Sequence, residues 1–160
     1  MGYVLGVNDS EVASLLAGCA QCPYPGVWQD SPFAERAVDG ARYAVVAVDP
    51  GLSALALRRD DGSLWGLPEG GVPHLVNSSV EAFVAFNRAY EEAAAEAAVY
   101  EGPRDGLGED EAADLAEQAA DALTEALLER FGMLDAEAIA DESSFWHIGA
   151  EELGYGMCAV

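Results

Sequence analysis

The chain has 160 residues, 51% of them hydrophobic, and a formal net charge of −22 from 29 acids set against seven arginines and no lysine. A chain of this length buries roughly 70% of its unfolded surface in one domain, which excludes disorder as the default. So acidic a surface repels nucleic acid and anionic membrane and attracts cationic partners; a merely solubilising coat is the alternative reading.

The charge is unevenly spread. Residues 1–90 carry ten acids and five arginines, whereas residues 91–142 carry seventeen acids and two arginines, a local charge of −15. No apolar run approaches the ~20 residues of a membrane span. The start, MGYVLGVNDS, has neither a basic leader nor a continuous apolar stretch, so cytoplasmic residence is expected. Cys19, Cys22 and Cys158 are too few, and odd in number, for a disulfide framework, and read as thiols.

In chain order, Asn8 or Asp9 can cap a short helix through Val12, Leu15 and Leu16 that Gly18 stops. Residues 19–42 read as irregular, broken by Pro23, Pro25, Gly26, Pro32 and Gly40, with Trp28 and Phe33 as anchors on the core. Tyr43 to Val48 and Ser53 to Arg59 have the β-branched and alternating patterns of strands on a half-buried sheet. Asp49-Pro50-Gly51 between them, and Asp60-Asp61-Gly62 after them, are turns with glycine at the left-handed position. Ser63 to Leu67 returns as a third strand and His74 to Val76 as a short fourth, an antiparallel meander.

Ser78, three residues before Glu81, reads as the N-cap of a capping box. The helix behind it presents Val80, Phe83, Val84, Asn87 and Tyr90 or Glu91 on one face and continues to Val99. A glycine- and proline-rich loop, 101–108, leads to a helix over Asp110 to Arg130. Its apolar stripe is Leu115, Ala119, Ala122, Leu123, Ala126 and Leu127, and Gly132 is its expected stop. That alanine-rich stripe predicts close approach to a neighbouring helix. Ala136 to Ala140 can add a turn, and Ser143 to Leu153 a terminal helix with Phe145, Trp146 and Ile148. The expected fold is α+β: a single domain over 1–160, an antiparallel meander sheet flanked by helices. Phe83, Val84, Leu55, Leu57, Val46 and Leu123 are the expected core.

No catalytic constellation is legible. Cys19-Ala20-Gln21-Cys22 is one pair where a zinc site needs four ligands, and His74 and His147 stand alone. No metal and no cofactor are therefore expected. No nucleophile elbow and no phosphate-cradling glycine loop followed by lysine is present. Acid pairs are so common that none marks a cleft. Trp65, mid-strand, reads either as cover for the sheet or as an anchor facing a partner.

Two stretches carry a family resemblance. The DG turn, the strand after it and LVNSSVEAF opening a helix, together with Ser144-Phe145-Trp146 followed by Glu151-Glu152-Leu153-Gly154, resemble the SUKH superfamily of bacterial immunity proteins, its fourth subfamily in particular, over residues 40–156. The resemblance implies a non-enzymatic module, monomeric when free, that binds and neutralises a cognate toxin. The acidic charge adds that the toxin domain is basic, as one acting on nucleic acid would be. Exposed acids beside turns are the expected contacts: Asp60, Asp61, Glu69, Asp105, Glu109 and Asp110, with Trp65 as anchor. The alternative is a regulatory or scaffold module of the same fold that binds a host partner.

Overall fold

The computed structural model describes residues 8–19, 24, 26–100, 106 and 108–158. They belong to two compact units, Met1–Asn87 and Arg88–Val160, and the helix Val80–Ala98 runs across the division.

The first unit opens with α1 (Asp9–Leu16), where the Asn8 side chain accepts from the Glu11 N–H as the cap. Six strands follow: β1 (Val27–Trp28), β2 (Ala34–Val38), β3 (Ala41–Asp49), β4 (Ser53–Arg58), β5 (Leu64–Pro68) and β6 (His74–Asn77). All pairings are antiparallel, in the order β1-β3-β4-β5-β6, with β2 also on β3 beside β1. The meander over 43–76 thus forms as its patterns predict, with Gly51 and Gly62 at φ of 79° and 77°.

Several expectations in this unit are corrected. Residues 27–28 and 34–38 are strands rather than irregular chain. The second, AERAV, is exposed at four of five positions, so no apolar alternation marks it. Asp39 and Gly40, both at positive φ, close a two-residue hairpin onto β3. The sheet is also not half-buried at its centre, because Ala54, Leu55, Ala56 and Leu57 are all buried. Leu55 and Leu57 share a face with Ala44, Ala47 and Leu64, and Trp28 on that face meets the Phe83 ring edge-on at 6.2 Å. The other face carries a second cluster of Tyr43, Val45, Ala54, Ala56 and Leu67, flanked by Trp65. α1 is tied to the sheet by Arg59, whose guanidinium grips Asp9 at 2.6 Å and Glu35 at 2.6 Å.

The cap of α2 (Val80–Ala98) is Ser79, not Ser78. Its hydroxyl accepts from the Ala82 N–H and its carbonyl from the Phe83 N–H. Starting the helix there turns Val80, Phe83, Phe86 and Asn87 inward. Val84, expected in the core, is only half-buried, and Phe86 takes the place assigned to it.

The second unit holds the rest of α2, then α3 (Glu109–Leu134), a 3-10 turn (Ala136–Ile139) and α4 (Phe145–Cys158). Gly132 does not stop α3. The helix runs two residues further and ends where the Asp135 N–H bonds the Phe131 carbonyl, with Gly132 in ordinary contact with Ile139. Trp146 is fully buried, with Phe131, Phe145 and Tyr90 rings 5.1–6.1 Å away. Gly154 fits α4 onto α3. A Cβ there would overlap Thr124 Oγ1 and lie 2.9 Å from the Ala120 carbonyl oxygen. The close approach is made by Ala120, outside the expected stripe, while the stripe alanines Ala119, Ala122 and Ala126 border an open groove against α2.

Candidate functional site

The β4–β5 hairpin gathers the densest set of the expected contact residues. Gly62, in the left-handed region, closes the turn, with its N–H on the Arg58 carbonyl. Two-residue alternation along the turn and the start of β5 then puts residues 61, 63 and 65 within reach of one another. Asp61 Oδ1 accepts from both the Ser63 N–H, at 3.0 Å, and the Ser63 hydroxyl. Ser63 Oγ in turn accepts from Trp65 Nε1 at 2.7 Å. Arg58 lies over the indole, its guanidinium carbon 5.6 Å from the ring centre, a cation–π contact.

The sequence marks Asp61 as an exposed turn acid and Trp65 as mid-strand, but does not single out Arg58 and Ser63, which join them here. The signal that could have found them is spacing: 61, 63 and 65 alternate along one side of a strand and its turn, and Arg58 stands across the hairpin. Partial burial pushes the Asp61 carboxyl up. The Ser63 hydroxyl and N–H and the Arg58 charge outweigh it, so its pKa lies below the ordinary carboxylate value. Asp61 is thus a fixed anion whose job is to hold Ser63 and, through it, the Trp65 ring. Asp60, beside it, is exposed and makes no side-chain bond among the described residues.

The remaining expected residues are not brought to this point. Glu69 is exposed in the β5–β6 loop, at the far end of β5 from the Asp60–Gly62 turn; five strand residues span about 17 Å. Glu109 and Asp110 lie in the second unit, in the first turn of α3. There, with Glu111, they face a helix N-terminus whose cap, Gly108, offers no side chain. Their charge complements the helix dipole, a structural role available to any acid there. Asp105 lies outside the described residues.

Ser63 has its hydroxyl occupied on both sides, donating to Asp61 and accepting from Trp65. Among the described residues no three His, Cys, Asp or Glu side chains are placed to hold a metal ion. Cys19 is buried, and Cys22 lies outside the described residues. His147 pairs with Glu151 one turn along α4, and the His74 ring lies over Gly66 on the neighbouring strand. No helix among the described residues is long and apolar enough to cross a membrane. The Trp–Arg pair is held by a part-buried hydrogen-bond chain, and these two residue types are enriched in binding hot spots generally.

An antiparallel sheet with a capped helix behind it, followed by a tryptophan-centred helical unit, defines the class: an α+β module. The SUKH-4 immunity protein model matches residues 23–152, and the chain belongs to that family. Neither a curated protein nor a solved structure matches it. The match covers the first segment that carried the resemblance and the second as far as Glu152, leaving out Leu153 and Gly154. The structure gives them a physical reason: Ser79 caps α2, Trp146 centres the second unit, and Gly154 admits α4 to α3.

Proposed function

We propose that this immunity protein acts stoichiometrically in the cytoplasm, without catalysis or cofactor, by binding one cationic toxin domain and covering the basic cleft with which that domain engages nucleic acid. The observation that carries the choice of partner is the charge of −22 on a protein without a single lysine. Such a field accelerates encounter with a basic surface and rejects acidic ones. The hairpin supplies the local anchor. Trp65, stacked under Arg58 and pinned through Ser63 to Asp61, is ordered before binding, so little side-chain entropy is lost on contact. Asp60 at the turn contributes an unpaired charge, with Glu69, Glu109 and Asp110 as further acidic contacts.

The test uses the toxin domain encoded beside this gene. Raising salt from low to about 0.5 M is expected to slow association by roughly an order of magnitude while changing dissociation little. Trp65→Ala is expected to raise Kd at least about tenfold through dissociation. Association indifferent to salt would remove the electrostatic part of the proposal, and an unchanged Kd for Trp65→Ala would remove the hairpin. Binding to a host protein instead of the toxin would establish the regulatory-module reading.

A further inference from the structure

In the second unit, α3 has two neighbours and treats them differently. Against α4 it closes until only glycine fits at 154. Against α2 it leaves a groove of 490 Å³. The floor is apolar and buried: Ala89 and Ala93 from α2, Leu123 and Leu127 from α3. Ala122 and Ala126 on its wall are exposed, although alanine is the residue that would let two helices close. The rim is charged. Glu92 bridges to Arg130 at 2.6 Å, so the rim's cation is already compensated, and Glu96 adds a further negative charge.

We propose that this groove receives an amphipathic helix of the toxin, with small or aliphatic side chains on its inner ridge and lysine or arginine along its flanks. The inference rests on the immunity reading and adds a contact to it beyond the hairpin. Shape favours a helix. The groove follows α3 from 119 to 130, about 17 Å or three turns, and small walls let a third helix axis settle at about 8–10 Å. Charge decides whose helix it is. On the rim itself Glu92 and Glu96 outnumber Arg130, within a segment, residues 91–142, of net charge −15. A second copy of this chain would bring the same charge against itself, whereas a cationic helix is drawn in.

Two arms test this. In the first, a 15-residue peptide with leucines at i, i+3 and i+4 spacing and lysines elsewhere is titrated into the full-length protein and followed by backbone amide shifts. The largest shifts are expected at 89–100 and 119–130, and Ala126→Trp, which fills the groove from an exposed position, is expected to weaken binding at least about tenfold. Ala126→Ser should bind as the parent does, and matching melting curves confirm that both variants fold. Shifts spread evenly along the carboxylates of α3 that persist in Ala126→Trp would overturn the proposal. So would a dimer in sedimentation that Ala126→Trp dissolves.

The second arm co-expresses the neighbouring toxin domain with each form. The parent is expected to protect cells and Ala122→Trp and Ala126→Trp to fail. Protection by all three would refute the groove and leave the immunity reading standing. If the parent itself does not protect, the immunity reading falls, and the peptide titration decides the groove alone.

Discussion

Gly154→Ala is expected to destabilise the protein although alanine is the better helix former. In a helix interior the change from glycine stabilises by about 0.5–1 kcal/mol. At 154 the added methyl would overlap Thr124 Oγ1 and sit 2.9 Å from the Ala120 carbonyl oxygen. Thr124 can rotate away at the loss of its 3.4 Å bond to the Ala150 carbonyl, but Ala120 O is backbone and moves only if α3 and α4 separate. Overpacking of this kind costs about 1–3 kcal/mol, so the net loss is up to about 2.5 kcal/mol. For a chain of this size that lowers Tm by up to about 10 °C. Gly156 is the internal control. It lies in the same helix with nothing within 4 Å of its Cβ position, so Gly156→Ala should hold or raise stability. Thermal and urea melts of both variants read the sign. Adding Thr124→Ala to Gly154→Ala should recover only the side-chain part of the loss. A Gly154→Ala protein as stable as Gly156→Ala would refute the close α3–α4 approach.

Phe83 is fully buried beside Trp28, and Phe83→Ala should cost about 3–5 kcal/mol in urea unfolding. Ser79→Ala removes the hydroxyl that caps α2 and should cost about 1 kcal/mol by thermal melting. The Arg59 hydrogen bonds to Asp9 outweigh burial and, with the Phe33 N–H, hold its carboxyl below the usual 3.8. Its stabilising contribution is therefore complete above that value and is lost as pH falls below it. Asp9→Asn should flatten the loss of stability below about pH 4 in an acid titration followed by circular dichroism.

The meander was legible because Tyr43 to Val48 and the Leu55/Leu57 alternation carry their own burial pattern and the turns contain glycine where φ is positive. Strand β2 was not, since Ala34 to Val38 pairs through its backbone and buries little; Asp39-Gly40 was the one local sign of it. The choice between Ser78 and Ser79 as cap is invisible locally, because both are serines. Burial of Phe83 and Phe86 together decides it. Asp61 and Trp65 are expected contacts from the sequence. Their connection through Ser63 is a two-residue spacing along one strand and its turn, whereas the placement of Arg58 over the indole depends on cross-strand register that composition does not carry. The alanine stripe of α3 predicted a packing face, but which alanines meet α4 and which border a groove follows from Gly154, thirty residues away.

The central claim is that this SUKH-4 chain neutralises a basic toxin by binding it. The most direct measurement is survival of cells co-expressing it with the toxin domain encoded alongside, with the soluble level of both proteins measured in the same cultures. Survival with intact toxin, lost in Trp65→Ala at equal abundance, is the predicted result. Death of cells that contain abundant folded protein would contradict the account.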